Sequence, residues 1–502
     1  MLSREKMRIK TTTKQDLIHI LILLTIALGL GIYLICTTVV IAKDGVGFIE
    51  YAKNLEVDAA KTMIEQDEHS GYPAMILGAH KISRLFIKDD SVFSWIYCAQ
   101  SIAMVFRLLA IVVLYFIGKN LVGAKFSFLA VLILIFLPKP ASYGSDGLSD
   151  WPHMFFLVAG FLLLTISAKE GKWLLFGLTG LSAGFGYLVR PECAQVIIYA
   201  LLWLGLQLVW TRRTLSRSKA VLSLALLLVG FLIVAGPHMR LKGTISFEKQ
   251  AVEVGTNTQA NEVHISGQQV VSNTANIVPP DIGAGFAKLV ENVGETLMWF
   301  FVPALLIGMY KSFKNVKWYE PEQFFMSVII VFNVPLMIWL YCSAGYMSVR
   351  HTLSLVVFTV FYIPAGMYVL ADLLNKKVLK KENSNLGFVI LMVIGIAICS
   401  PKLFRPLHYD KVTVRKAAQW LAENSETNDL IGSADPRVGF YAERNSIYCD
   451  GIIVPQEVRY VVKIFKNQKN TATDNLLGRY RKVFSFEDDV KKRLVVIYEK
   501  PL

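Results

Sequence analysis

Stretches of roughly twenty consecutive apolar residues recur along this chain, and each is long enough to cross a bilayer core as a helix. No other property limits the fold so strongly, because hydrocarbon leaves an unpaired backbone amide without a partner and admits only helices or closed barrels. The windows fall at residues 17–42, 92–117, 124–138, 150–168, 173–189, 193–210, 219–237, 295–310, 322–342, 350–371 and 386–400. They predict a polytopic α-helical membrane protein with about eleven transmembrane helices, of which those at 124–138 and 386–400 are short. Hydrophobic residues make up 54% of the 502 and charged residues 18%, with a mean hydropathy of +0.47, which excludes a soluble enzyme. The stretch from Leu17 to Ala42 is too long for a signal-peptide core and lacks a small-residue cleavage site, so it reads as a first span.

A net charge of +14 would suit a nucleic-acid binder, but its distribution follows the membrane instead. With the N-terminus cytoplasmic, Arg4, Lys6, Arg8, Lys10 and Lys14 lie inside. So do Lys119 and Lys125, Lys169 and Lys172, Arg212, Arg213, Arg217 and Lys219. Lys311, Lys314, Lys317, Lys376, Lys377, Lys380 and Lys381 follow on the same face, whereas the short outer loops hold only Lys139, Arg190 and Arg350. This alternation predicts a multi-pass protein of an inner or plasma membrane with an extracytoplasmic C-terminus and no nucleic-acid partner. The six cysteines are scattered singly and predict neither a zinc site nor a disulfide framework.

Three long segments then face outward: 43–91, 238–294 and 401–502. The chain divides on this reading into a membrane part, 1–400, and a small extracytoplasmic α/β domain, 401–502. Phe48, Ala52, Leu55 and Ala59 share one helical face, as do Met75, Ala79, Ile82 and Phe86, which predicts two amphipathic helices on the membrane surface. In the second segment an Asn/Thr/Gln-rich stretch leads to a helical stripe of Ile282, Phe286, Leu289, Val290 and Val293. The tail predicts a helix at 412–424, strands near 430–432, 446–448, 482–485 and 493–499, and a helix from Gln456.

Candidate chemistry gathers at the outer mouth of the bundle. Asp44 follows the first span at once; a carboxylate there is either used or caps the next helix, and the sequence leaves both readings open. Glu50, Glu65, Asp67 and Glu68 fit a solvated helix face. His69-Ser70-Gly71-Tyr72-Pro73 forms a turn opening the second surface helix, with His69 a ligand, a donor or a solvated turn residue. Asp146, Asp150 and His153 precede or begin the fourth span, where Asp150 also suits an N-cap. Arg190, Arg240, Lys242 and Arg350-His351 are scarce outer cations that would fork onto a phosphate or snorkel to headgroups. Arg107, deep in the second span, calls for a partner or a watery cavity. There is no P-loop, GxGxxG, HExxH or GxSxG, so nucleotide-driven transport and standard hydrolase chemistry lack support.

In their order these residues resemble the C-type membrane glycosyltransferases, specifically the family 39 group of protein O-mannosyltransferases and lipid A aminoarabinose transferases. The resemblance rests on Asp44 after the first span with Tyr51 downstream, His69 to Pro73, and the acidic second outer loop leading into Phe155-Phe156-Leu157. It extends through a fifth helix with Gly177, Gly180, Gly184 and Gly186 that ends in Tyr187-Leu188-Val189-Arg190-Pro191-Glu192. Arg350-His351, Ala417-Ala418-Gln419-Trp420-Leu421 and Asp435-Pro436-Arg437-Val438-Gly439-Phe440-Tyr441 continue it into the tail.

That resemblance implies an inverting enzyme that moves a sugar from a polyprenyl-phosphate donor to a lipid, glycan or protein acceptor at the outer membrane face. Asp44 would be the general base. Arg190, Arg350 and Arg240 would stabilise the departing phosphate, and Asp146 or Asp150 would orient hydroxyls. Tyr51, His69, Tyr72 and His351 would complete substrate binding, with no cofactor and no metal. A lipid-linked polysaccharide polymerase or ligase would share the donor. A transporter or flippase would be expected to show repeated halves, which are absent from the sequence, and a non-catalytic scaffold leaves the charged mouth unexplained.

Overall fold

The computed structural model describes residues 12–210, 214–243, 281–314, 318–379, 384–449, 454–465, 480–488 and 493–501. The polar stretch within 244–280 and the cations Arg4, Lys6, Arg8, Lys10, Arg212, Arg213, Lys317, Lys380 and Lys381 lie outside the described residues. The membrane part runs α1 (Lys14–Thr37), α2 (Lys43–Val57), α3 (Ala59–Glu65), α4 (Gly71–Arg84), α5 (Val92–Val122), α6 (Ala124–Phe136), α7 (Pro138–Tyr143) and α8 (Asp150–Glu170). It continues with α9 (Leu175–Val189), α10 (Gln195–Val209), α11 (Arg217–Lys242), α12 (Ile282–Thr296), α13 (Val302–Phe313), α14 (Pro321–Ala344), α15 (Leu353–Thr359), α16 (Ile363–Leu374) and α17 (Ser384–Leu403). Among the described residues, eight helical segments are long and apolar enough to span a bilayer, and α6, α9 and α13 are shorter apolar helices. Each overlaps one of the eleven apolar windows, and the chain is an integral membrane protein.

The window 295–310 is not one straight helix. Helix α12 stops at Thr296, Met298 and Trp299 take left-handed conformations at φ 56, and α13 restarts at Val302 with Pro303 in its first turn. Proline is tolerated there because a first-turn amide has no intrahelical partner, and a left-handed pair ends a helix. Trp299 folds back onto Gly294, where an added Cβ would stand 2.6 Å from the indole.

The glycines of α9 serve a second purpose. A Cβ on Gly180 would strike the Leu227 carbonyl and one on Gly230 that of Gly177, with Gly184 less tight at 3.0 Å from the Phe231 carbonyl, so α9 and α11 pack almost backbone to backbone. Small residues at such a seam permit the close approach that helices in lipid depend on. Arg107 finds its partners inside the bundle: Nη2 donates to the Ile135 carbonyl at 3.2 Å, and the guanidinium lies 5.9 Å from the Trp151 ring centre. That places a cation at the carbonyl end of α6, where the helix dipole favours it.

The tail contains α18 (Val412–Asn424), β1 (Ile431–Ser433), α19 (Arg437–Ala442), β2 (Ser446–Tyr448), β3 (Tyr460–Phe465), β4 (Arg481–Asp488) and β5 (Arg493–Glu499). The strands form one sheet in the order β2-β1-β3-β5-β4, parallel across β2, β1 and β3 and antiparallel across β3, β5 and β4. The helix expected from Gln456 is absent. Residues 456–459 turn into β3, whose run of Tyr460, Val461 and Val462 is buried at the centre of the sheet, a setting that favours β-branched and aromatic side chains.

This unit does not stand apart from the bundle. Val414, Leu421, Val438, Tyr441, Val495 and Ile497 share one apolar core with Val40 and Ile41 of the connector after α1 and with Val46, Phe48 and Ile76 of the segment 43–91. That segment folds as three helices, not two, because Asp58 ends α2 and caps α3 by accepting from the Lys61 amide. Helix α4 turns Tyr72, Ile76 and His80 inward and leaves Ile82 and Phe86 exposed on the opposite side.

Candidate active site

Four of the nominated residues meet at the junction of α2, α8, the end of α9 and the start of the segment before α15. Asp150 is the first residue of α8 and its side chain is 1% exposed. Arg350 Nε donates to both of its oxygens, at 3.2 and 3.1 Å, and Nη2 lies 2.8 Å from Oδ2. Arg190 Nη1 approaches the same carboxylate at 3.5 Å, while its Nε donates to Ser149 Oγ at 3.0 Å. Arg350 then reaches outward through Nη1 to Asp44 Oδ2. One buried acid thus holds two guanidiniums, and one of these also holds a second acid that is 44% exposed.

The geometry answers two questions the sequence left open. The N-cap of α2 is Ala42, with no side-chain cap bond, so Asp44 does not cap its helix. Nor does Asp150 cap α8, whose N-cap position is Ser149. Both carboxylates are taken by arginines from distant segments, since a charge-assisted fork outweighs a neutral cap bond.

Asp146 lies beside this cluster and is turned away from it. Its Oδ1 accepts from the Ala42 amide at 2.8 Å and its Oδ2 pairs with His408 Nε2 at 2.8 Å. Burial pushes the Asp146 carboxyl above its usual range, with His408 pulling against it. Gly45 makes this packing possible, because a Cβ there would sit 3.1 Å from the Asp146 carbonyl and 3.2 Å from that of Gly147.

A second polar group lies next to the arginines. Buried His69 packs its ring edge-on to Tyr187 at 4.9 Å and tilted against His238 at 5.3 Å; burial and then His238 lower its basicity to about 4. Ser70 Oγ is 3.4 Å from His238 Nδ1. Gly71 allows this turn to press on the end of α9, where a Cβ would meet the Leu188 carbonyl at 2.5 Å. Tyr51 is buried and burial, then Glu68, raises its phenol to about 12. Tyr72, fully buried, donates to the Ala99 carbonyl at 3.0 Å and senses Asp150 and Asp146. His351 caps its own turn, with Nδ1 accepting from the Ser348 amide at 3.3 Å. Arg240 is exposed and is not brought to the four-residue cluster by any ion pair among the described residues.

Sequence reasoning passed over several neighbours. Glu68 is solvent-exposed, as expected, but it lies in the turn after α3 and not on a helix face, and desolvation by its surroundings, then Asp44, raises its carboxyl above the usual range. Lys242 Nζ donates to the carbonyls of Gln66, Asp67 and Glu68 at 2.8, 3.1 and 3.0 Å, fixing that turn. Ser149, His238 and His408 had no signal, since each acts through a partner far away in the chain. Among the described residues, no group of three or more His, Cys, Asp or Glu is arranged to hold a metal ion.

The architecture is that of the C-type membrane glycosyltransferases. ArnT from Cupriavidus metallidurans, in a structure bound to undecaprenyl phosphate, superposes with a TM-score of 0.58 at 13% identity, covering 97% of this chain and 98% of that one. The oligosaccharyltransferase AglB from Archaeoglobus fulgidus, in complex with an inhibitory peptide and a dolichol-phosphate, gives 0.56 at 10% identity, over 89% of this chain and 69% of AglB. More particularly, residues 89–236 match the family described as dolichyl-phosphate-mannose-protein mannosyltransferase. At such identities the structural likeness establishes the fold. None of the curated proteins compared with the chain matches it significantly.

Proposed function

We propose that the chain is an inverting glycosyltransferase that moves a sugar from a polyprenyl-phosphate donor to an acceptor hydroxyl at the outer face of the membrane. The observation that carries this reading is the Asp44–Arg350–Asp150–Arg190 chain: a reachable carboxylate beside two guanidiniums aligned by a buried one. In the reaction, the acceptor oxygen attacks the anomeric carbon and its proton passes to Asp44. The bond from that carbon to the phosphate oxygen breaks, and the polyprenyl phosphate leaves with the electron pair. Positioned general bases contribute ~10²–10⁴ in rate. Arg190 and Arg350 face the developing phosphate charge, in surroundings of low dielectric where a guanidinium is worth more than in water.

Asp150 is the residue that aims both arginines, because its oxygens are already occupied. Asp146 acts on the backbone before Asp44 in the same way. Tyr51, His69 and His351 line the neighbourhood of the sugar and phosphate, and Tyr72, fully buried with its hydroxyl taken by the Ala99 carbonyl, supports them from behind instead of touching substrate. Arg240 stands at the edge as a contact to the donor lipid. ArnT with its undecaprenyl phosphate and AglB with its dolichol-phosphate support a lipid-linked donor.

The same reading places the N-terminus in the cytoplasm and the C-terminal sheet outside an inner or plasma membrane, as the charge alternation requires. In a variant lacking the exposed Cys36, cysteines introduced at Asn54 and Gln456 are expected to react with an impermeant maleimide in intact cells. Protection of either position would reverse the topology. The activity itself is tested by incubating the full chain in nanodiscs with radiolabelled polyprenyl-phosphate sugars and outer-face acceptors. No transfer from any such donor would refute the assignment.

A further inference from the structure

The connector from α1 to α2, residues 38–42, contains Val39, Val40, Ile41 and Ala42, which have no side-chain polar atom to fix their own backbone. Val40 and Ile41 are fully buried. A buried amide without a partner costs about 1–3 kcal/mol, so the destinations of these amides matter. Val39 N–H donates to the Leu407 carbonyl at 3.1 Å. Ile41 N–H donates to Tyr441 Oη at 2.9 Å, and the Ile41 carbonyl accepts from Arg437 Nη1 at 3.4 Å. Ala42 N–H goes to Asp146, whose other oxygen is held by His408. Leu407, His408, Arg437 and Tyr441 all come from the C-terminal part of the chain.

Arg437 is itself held rigidly. It is 3% exposed, and its Nε and Nη2 donate to the two oxygens of Asp435 at 2.9 and 2.7 Å. Tyr441 is fixed by the apolar core shared with the first outer segment, and the Arg415 guanidinium lies 4.7 Å from its ring centre. The strap ends at Ala42, the uncapped start of α2, and Asp44 stands two residues further on in the first turn. The direction of the Asp44 carboxylate toward Arg350 is therefore set by contacts made on the backbone just before it.

From this geometry we infer that Arg437, Tyr441 and His408 of the C-terminal unit are positioning residues for Asp44: they hold the strap 39–42 and so aim the base without touching substrate. The inference rests on the proposed role of Asp44 and adds a task for the extracytoplasmic sheet unit. Its contribution to the rate passes through backbone hydrogen bonds, and a displacement near 1 Å of a reacting group can lower a rate ~10²-fold.

Tyr441→Phe removes one hydroxyl and keeps the ring, and Arg437→Gln removes the guanidinium. Each is compared with Arg444→Ala, which loses bonds to the Ala422, Ser425, Ala442 and Glu443 carbonyls within the C-terminal unit and none to the strap. The readouts, on the full chain in nanodiscs, are amide hydrogen exchange in 38–44, donor-lipid affinity and single-turnover transfer. Tyr441→Phe is expected to speed exchange in 38–44 and slow transfer about 10-fold, with donor affinity changed less than about 2-fold. Arg437→Gln is expected to do more, whereas Arg444→Ala is expected to lower Tm and leave the rate per folded molecule intact. Unchanged exchange in both strap variants overturns the inference, and so does faster exchange with an unchanged rate. If the unaltered chain transfers no sugar from any polyprenyl-phosphate donor, the proposed function has failed, and the exchange measurement still decides whether the strap is held.

Discussion

Arg350→Gln should reduce transfer by at least ~10²-fold and weaken donor binding, the largest loss expected from any single cation in the protein. The side chain bridges two acids from different helices, one buried and one exposed. Among the described residues, glutamine would leave Asp150, at 1% exposure, with Arg190 as its remaining ion-pair partner, at 3.5 Å. Removing one partner of a buried pair typically costs about 3–5 kcal/mol, and retention of Arg190 brings the loss of stability here to the lower end of that range. Catalysis should suffer more than folding on the proposed mechanism, in which the same guanidinium meets the leaving phosphate and pairs with the base Asp44. Arg350→Lys should restore only part of the activity, since an ammonium cannot fork onto Asp150 and still reach Asp44. Donor affinity, single-turnover rate and Tm of both variants in nanodiscs decide it. Wild-type affinity and rate in Arg350→Gln would move the phosphate site elsewhere, with Lys242 and Arg240 next in line.

What the sequence revealed and what it withheld divide along physical lines. Hydrocarbon imposes its requirement locally, residue by residue, so every apolar window overlaps an apolar helix, from 17–42 with α1 to 386–400 with α17, even where 295–310 is broken by a turn. Asp44, Asp150, Arg190 and Arg350 stood out individually because a charge at an apolar mouth is costly. Their assembly was not legible: Arg350 and Asp44 are separated by 306 positions, and Arg350 and Asp150 by 200. The N-cap alternatives for Asp44 and Asp150 failed for the same reason, since local spacing cannot register a guanidinium delivered from another segment.

Other differences have specific causes. The left-handed pair at Met298 and Trp299 follows from an indole packing on Gly294, a contact that no periodicity announces. The strand at 460–465 replaces an expected helix because β1 and β5 lie ready on either side. Glu68 is solvated as it looked, but the Lys242 grip on the turn around it holds it where it senses the charge of Asp44. The family resemblance added the order of the motifs, and the structure supplied the reason for their spacing: Gly71 occurs where neighbouring backbone leaves no room for a side chain, and Gly45 where it leaves little.

Asp44→Asn should lower the chemical step ~10²–10⁴-fold while the protein folds and binds donor, because asparagine keeps the shape of the side chain and cannot take a proton. Stability provides the control. A lost N-cap would cost about 0.5–2 kcal/mol, but the N-cap position of α2 is Ala42, with no side-chain bond, so that term is absent. What remains is a first-turn charge, worth about 0.3–1 kcal/mol with the helix dipole. The half-exposed ion pair with Arg350 adds about 0–1 kcal/mol, so the fold should survive. Arg350 remains anchored on Asp150 in this variant, and one negative charge is removed from the proposed donor-phosphate site. Donor affinity should therefore hold or rise as single-turnover transfer collapses, a split that a misfolded or structurally loosened protein would not produce. Transfer by Asp44→Asn at near the wild-type rate would remove Asp44 from the role of base. Loss of transfer in Glu68→Gln alone would then assign the proton to the neighbouring carboxyl, whose raised basicity suits it for that role.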